Sequence, residues 1–489
     1  MIAKDDQIND QNDSKKNKCF SQFKNGIASF LRFIKHIKLS ELFSQLPDKR
    51  QQSKIDYSIA SLVLWAFSLC FFRQESKNKF HTTLQYLEPH ERRGILNLLE
   101  IKNNNLPDYT TVDDALKNIN YEELNNISFQ LFDQLKERKF FYNHLELLTY
   151  NRFLIGADGH WTHTYDHSHV CDEKGNNTCP YCLPRKRFKG TPKEETYWVH
   201  ILVTFVLIFE DFSLPVYTYA LQSNQVDTSQ SDEALKQECE LKAAHNVLQL
   251  IKDRFPRTKF FFLGDALYGN APFIKLCKDL DFEYIIVLKD NFKRLRQKCD
   301  ELSNLEFYKK SYAFTQTSQI KNQKKIKKSA WFNNVEVEEN LYTNVLRFQE
   351  EQIDENNQST LKYSGEWICS KKIFKENCLK LAHAGRLRWN HEDVHNTLKN
   401  RGFDIKHDMA RKNPNLQIFW KILNFLGLFV FEIFRHSLIA IKHRKNLSLK
   451  QFAIDLLHQL LKFSWDNIRD APILKKPKIQ FRYVFESPP

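Results

Sequence analysis

Between Asn151 and Lys289 the chain alternates strand-like and helix-like runs in an order that few folds accommodate. Arg152–Ala157, Trp198–Phe209 and Leu214–Leu221 are β-branched and aromatic, and read as three consecutive strands. Ser231–Phe255 follows as a helix, with Ala234, Leu235, Cys239, Leu241, Ala244, Val247, Leu248 and Ile251 along one broad face. Lys259–Gly264 reads as a fourth strand, Ala271–Leu280 as a short helix and Glu283–Lys289 as a fifth strand. Two of these strands run straight into an acid: Phe153-Leu-Ile-Gly-Ala157 into Asp158, and Phe260-Phe-Phe-Leu-Gly264 into Asp265. A third acid, Glu392, lies within Arg386–Lys399, which reads as one helix. Two carboxylates at strand ends and one on a later helix can converge on a pair of divalent ions. Such a pair suits displacement at phosphorus, one ion on the attacking oxygen and the other on the leaving one. Mg²⁺, or Mn²⁺ in its place, fits a site of hard carboxylate and water oxygens.

Three strands, helix, strand, helix, strand is the order of a ribonuclease-H-like α/β domain. Its acids belong at the end of the first strand, just after the fourth, and on a later helix, where Asp158, Asp265 and Glu392 stand. The chain divides accordingly. Residues 1–17 are a polar tail expected to be disordered. Residues 18–150 form a helical domain for DNA binding, dimerisation or support. Within it, Pro107–Asp114 carries Thr111 with an acid three residues on, close to a capping box. Residues 151–300 make the first part of the core, with a Cys/His-rich insert at 160–190. Residues 301–372 are polar but strand-tending (Phe307–Thr317, Lys327–Val337, Leu341–Phe348, Glu366–Ile368), and are expected to be an inserted β-rich subdomain. It separates Asp265 from Glu392 by 127 residues. Residues 373–445 complete the core with the Glu392 helix, and 446–489 form a C-terminal extension.

The formal net charge of +14 over 489 residues favours an anionic partner, and the positive charge is clustered. Five lysines, Lys321, Lys324, Lys325, Lys327 and Lys328, fall within eight residues, and Arg185-Lys-Arg187-Phe-Lys189 is a second knot. These clusters point to a phosphate backbone more than to a merely solvated face. The first twenty residues are polar and lack the apolar core of a secretory signal. The greasy stretch Leu416–Ile441 is interrupted by Lys421, Asn424, Glu432, Arg435 and His436, and is expected to be buried core helix rather than a membrane span. Ten cysteines in so long a chain do not make a disulfide scaffold, so a cytoplasmic protein with reduced thiols is expected.

The segment around Glu392 resembles a known family. Insertion-sequence transposases of the DDE type carry the signature Y-x2-R-x3-E-x6-K around their third acid. Here Arg388 stands four residues before Glu392 and Lys399 seven after it, while Gly385 occupies the tyrosine position. Upstream, Lys236-Gln-Glu-Cys-Glu240 followed by Phe262-Leu-Gly-Asp265-Ala-Leu-Tyr-Gly resembles the stretch leading into the second acid in one branch of those enzymes. The similarity runs from about residue 45 to 445. It implies that Asp158, Asp265 and Glu392 are catalytic metal ligands, that Arg388 and Lys399 grip flanking phosphates, and that a dimer binds element ends and joins them to target DNA. A DNA-binding protein that keeps the fold without cleaving, and a structure-specific nuclease on the same fold, are the alternatives. His160 and His391 adjoin the acids; histidines so placed more often contact phosphate or steady a ligand than bind the metal.

A second metal is expected beside Asp158. Four histidines and three cysteines fall between His160 and Cys182. Cys179-x2-Cys182 has the spacing of a structural zinc knuckle, with Cys171 as a third sulfur and His169 or His167 as the fourth ligand. The alternatives are a His-rich loop with incidental thiols and a redox pair at Cys179 and Cys182.

Overall fold

The computed structural model describes residues 27–141, 152–167, 170, 177–223, 232–320, 323–354, 358–437 and 447–461. The tail at 1–17, His169, Cys171 and Lys321 lie outside them. The chain forms two compact units, one comprising 1–141, 168–179 and 395–489, the other 142–167 and 180–394.

The first unit is helical where described, and draws its helices from both ends of the chain. Ile59–Phe71 is buried along its whole length, because its residues are apolar on every side. It packs against Pro414–Arg435, with Phe71 and Phe431 rings 5.5 Å apart. Pro414–Arg435 is long and apolar enough to cross a membrane, yet its apolar residues are spent on this core. The polar interruptions are accommodated there: Lys421 donates to Ile405 O at 3.1 Å, and Glu432 pairs with Arg435 at 2.8 Å. The helix Tyr109–Leu116 is capped not from Thr111 but by Asp108, whose carboxylate accepts from Thr110 N at 2.8 Å. The earlier side chain meets the open amides first.

The second unit is mixed α/β and is built on a ten-stranded sheet. Its strands are β1 Phe153–Tyr165, β2 Leu183–Arg187, β3 Glu195–Ile208, β4 Ser213–Ala220, β5 Phe260–Gly264, β6 Glu283–Val287, β7 Ala313–Ile320, β8 Gln323–Glu338, β9 Leu341–Ile353 and β10 Ser359–Cys369. Four helices matter for the site: α1 Asp232–Arg254, α2 Ala271–Asp279, α3 Cys378–Leu387 and α4 Asn390–Asn400, whose last residues belong to the helical unit. β4, β3 and β1 are antiparallel neighbours, while β1, β5 and β6 run parallel. The first four residues of β1 and all of β5 are buried, as expected of parallel strands covered on both faces. This order and mixture are compatible with a ribonuclease-H-like fold.

Residues 313–369 do not stand apart from that sheet. β10 pairs antiparallel with β6 through Trp367↔Val287, Ile368↔Ile286 and Cys369↔Ile285, and β9, β8 and β7 continue outward as a meander. Trp331, Phe332, Val345, Leu346, Trp367 and Ile368 bury the near ends of these strands. Their far ends are polar, which is why the sequence suggests a separate subdomain. The expected strand at Phe307–Thr317 is instead a short helix, Glu306–Ser311, followed by β7.

Candidate active site

Register places two of the three acids side by side. β1 and β5 pair in parallel from Phe153↔Phe260 to Gly156↔Leu263. Asp158 and Asp265 each lie two residues beyond the last of these pairs, so they stand level at the carboxyl ends of neighbouring strands. Asp265 also caps the turn that follows, accepting from Leu267 N at 2.9 Å. Asp158 remains in the β1–β3 ladder opposite Thr204.

The third acid arrives by a broken helix. Arg386–Lys399 is not one continuous helix: α3 ends at Leu387 and α4 begins at Asn390. Three successive tight turns, Trp389 N to Arg386 O, His391 N to Arg388 O and Glu392 N to Trp389 O, make the corner. Asn390 fixes it, its side-chain amide donating to Phe209 O at 3.0 Å and Glu210 O at 3.3 Å. A side chain that binds backbone elsewhere competes with continuation of the helix. Arg388 and Glu392 form an i,i+4 ion pair across the corner, with Arg388 Nη2 3.1 Å from Glu392 Oε1. Lys399 lies two turns further along α4.

His391 lies against Asp158 and directly precedes Glu392 in the chain. It is buried over Gly156, where a Cβ would come within 3.6 Å of its ring. Its Nε2 lies 3.0 Å from Thr204 O, and its Nδ1 3.8 Å from Asp158 Oδ2. A carbonyl only accepts, so Nε2 carries the proton. Burial drives its pKa down to about 4, partly offset by the Thr204 carbonyl and by the charges of Glu392 and Asp265. Asp158 thus faces a neutral imidazole whose next residue in the chain is Glu392. In that tautomer Nδ1 presents a lone pair toward a carboxylate oxygen, an arrangement that a cation between them would relieve. Carboxylates are hard oxygen donors of the kind that fits Mg²⁺ or Mn²⁺.

Gly385, at the signature's tyrosine position, has a structural cause. A Cβ there would fall 2.6 Å from the indole of Trp367, which is itself buried. A tyrosine does stand nearby, from β10: Tyr363 stacks on Trp367 at 6.3 Å and lies under the Arg386 guanidinium at 4.3 Å.

The described lysines of the basic run lie on β8, and two are already engaged. Lys325 pairs with Glu350 at 2.9 Å and Lys328 with Glu351 at 2.7 Å, whereas Lys324 is exposed at the tip. In the Cys/His-rich segment, Cys182 Sγ lies 3.3 Å from His200 Nε2, with both residues fully buried. Cys179 is buried as well. His200 escaped the sequence reading because it is 18 residues beyond Cys182 and within an apolar strand. Its only signal was strand pairing, which sets it opposite His163.

Residues 236–428 match the family model described as a transposase DDE domain. No curated protein matches the chain. The matched stretch contains Asp265, Arg388, Glu392 and Lys399, and Asp158 lies ahead of it. The match supports a DDE-type transposase.

Proposed function

We propose that this protein is a DNA transposase that cleaves the ends of a mobile element and joins them to target DNA, with Asp158, Asp265 and Glu392 as its catalytic acids. The observation that supports this reading is the level placement of Asp158 and Asp265 on parallel neighbours, with His391, the residue before Glu392, against Asp158. Mg²⁺ or Mn²⁺ held by the three carboxylates would supply Lewis acidity at phosphorus and an activated oxygen nucleophile. The chain's own contributions are positional. His391, locked to Thr204 O, holds its ring against Asp158. Arg388 lies beside Glu392 and presents a planar fork suited to a phosphate oxygen pair. Lys399, and Lys324 and Lys327 of β8, which have no ion pair among the described residues, with Lys321 ahead of them, would add phosphate contacts along the duplex. A dimer would hold two ends together.

A structural zinc in the Cys/His-rich segment is part of the proposal. Cys182 and His200 already stand at the separation of two donors to one ion, and Cys179 precedes Cys182 at knuckle spacing. His200 would take the nitrogen place expected of His169, with Cys171 as the remaining sulfur. The expected role is to pin β2 and its basic Arg185-Lys-Arg187 run beside the strand that bears Asp158.

The test uses DNA carrying the inverted repeats that flank the reading frame. Wild-type protein with Mg²⁺ should nick at the repeat ends and transfer them into a plasmid. Asp158→Asn, Asp265→Asn and Glu392→Gln should each fall to background while retaining DNA affinity, because affinity comes from many Lys and Arg contacts. Cleavage by Asp265→Asn at the wild-type rate would refute the assignment. Nicking without strand transfer would indicate a nuclease instead.

A further inference from the structure

The last strand of a sheet turns a row of backbone donors and acceptors to water, and such edges are ordinarily guarded by proline, charge or cover. The edges of this sheet are β2 and β4 on one side and β7 on the other. β2, Leu183-Pro-Arg-Lys-Arg187, carries a proline and three cations, and β4 contains Pro215 and is almost wholly buried. β7 has neither guard. It reads Ala313-Phe-Thr-Gln-Thr-Ser-Gln-Ile320, without a charge or a proline, and Thr315, Gln316, Thr317, Ser318 and Gln319 are exposed. Among the described residues no strand but β8 pairs with it.

The ladder fixes which groups look outward. Trp331 N donates to Tyr312 O at 3.0 Å, so Tyr312 turns its carbonyl toward β8. Along an antiparallel pair the direction alternates from one residue to the next. Phe314, Gln316 and Ser318 therefore bond to β8 as well, while Ala313, Thr315, Thr317 and Gln319 turn N–H and C=O to the open side. These four lie symmetrically about Gln316. A second β7 laid antiparallel, with Gln316 on a two-fold axis, sets Ala313 opposite Gln319 and Thr315 opposite Thr317. Every outward group of both strands then meets a partner. Threonine pairs across strands are favourable, and β7 has no charge to oppose the approach. A strand that completes itself in this way has the self-complementarity that a two-fold interface requires.

We infer that β7 is the dimerisation edge of this protein: two copies join β7 to β7, antiparallel about a two-fold axis at Gln316, into one continuous sheet. The inference rests on the dimer of the proposed function and names its surface. Strands in a sheet lie about 4.8 Å apart, so the β8 strands of the two copies come within about 14 Å of each other. Lys327, opposite Gln316 in the β7–β8 register, then stands level with its own counterpart across the axis. Two basic strips become one, and phosphates lying along it offset the charge. A single strand pair buries far less than a standard interface, so the dimer tightens on DNA that bridges both strips.

The test is covalent trapping in the full chain, with sedimentation beside it. Gln316→Cys should form a disulfide with its own copy under mild oxidation, because a non-hydrogen-bonded pair brings its Cα atoms to about 4.5 Å. Thr317→Cys should not, since it meets Thr315 instead, and the described native cysteines are buried. Thr315→Lys with Thr317→Lys gives β7 the charge that β2 carries and sets like charges opposite one another. In sedimentation with and without a duplex of the element end, this variant should raise the dimer dissociation constant at least about tenfold. The melting temperature of its monomer should stay at the wild-type value, both threonines being exposed. A dimer that persists in the lysine variant, with no crosslink at position 316, overturns this interface and leaves the dimer reading standing. Wild-type protein that stays monomeric both free and on the duplex overturns the two together.

Discussion

Restoring the signature's tyrosine at position 385 should damage this protein. The indole of Trp367 is held between two glycine backbones. A Cβ at Gly385 would lie 2.6 Å from its Cε2, and one at Gly365 2.5 Å from its Cη2. Tyr363 closes a third side at 6.3 Å. An indole moves as a rigid plate, so it cannot yield locally. Gly385→Ala alone should therefore cost about 1–3 kcal/mol by overpacking. At roughly 2–4 °C per kcal/mol for a unit of this size, the melting temperature should fall by several degrees. Gly385→Tyr should cost more, and should also displace the end of α3 that delivers Arg388 and Glu392 to the site. The assay is denaturant unfolding of four proteins: wild type, Gly385→Ala, Trp367→Ala and the double variant. Trp367→Ala removes a buried aromatic and should cost about 3–5 kcal/mol. In the double variant the new methyl group enters the vacated space, so the two losses should fall short of additive by at least about 1 kcal/mol. Strict additivity, or a Gly385→Tyr protein with wild-type stability, would refute the packing argument. The departure from the signature would then need another cause.

Three further outcomes are expected. Neutralising Lys324 and Lys327 should flatten the salt dependence of DNA binding by up to about 0.9 log units per lost phosphate contact. Neutralising Lys325 and Lys328 should change it less, since Glu350 and Glu351 already pair with them; equal effects from both pairs would remove the distinction. Protein purified without chelator should carry zinc near one per chain and lose it in Cys182→Ser and in His200→Ala, whereas a metal-free preparation that stays folded and cleaves DNA would sink the zinc site. Burial lowers the Lys421 pKa to about 8, against weaker opposing help from Asp408 and Asp404. The unfolded chain then binds more protons than the folded one between about pH 8 and the ordinary lysine value, so stability should rise with pH across that window, by roughly 2–4 kcal/mol. Lys421→Met should abolish the rise, which denaturant melts between pH 7 and 10.5 would detect.

What was legible in the sequence was whatever a strand or helix writes locally. Phe153–Ala157 and Phe260–Gly264 announce buried parallel strands by unbroken apolarity, and the acids that end them follow directly. The corner at Arg388–Trp389 was not legible, because the interruption depends on Asn390 finding Phe209 O and Glu210 O in the distant turn between β3 and β4. The continuity of β7–β10 with the sheet was hidden for a related reason: only a few apolar positions near one end of each strand reveal the pairing with β6. His200 and Glu240 are the sharper cases. Each is a polar residue in an element whose pattern is explained without it, one in an apolar strand and the other on an amphipathic helix. Each gains its neighbours only when the fold brings it beside residues it does not adjoin in sequence: His200 beside Cys182, Glu240 against Gly159. The small residue opposite was the clue that could have been followed. Gly156 admits His391 on one face of β1 and Gly159 admits Glu240 on the other, so the pair of glycines flanking Ala157-Asp158 marks where two helices must come closest to the strand. Small residues interrupting a strand on either side of a catalytic candidate record the side chains that need that space.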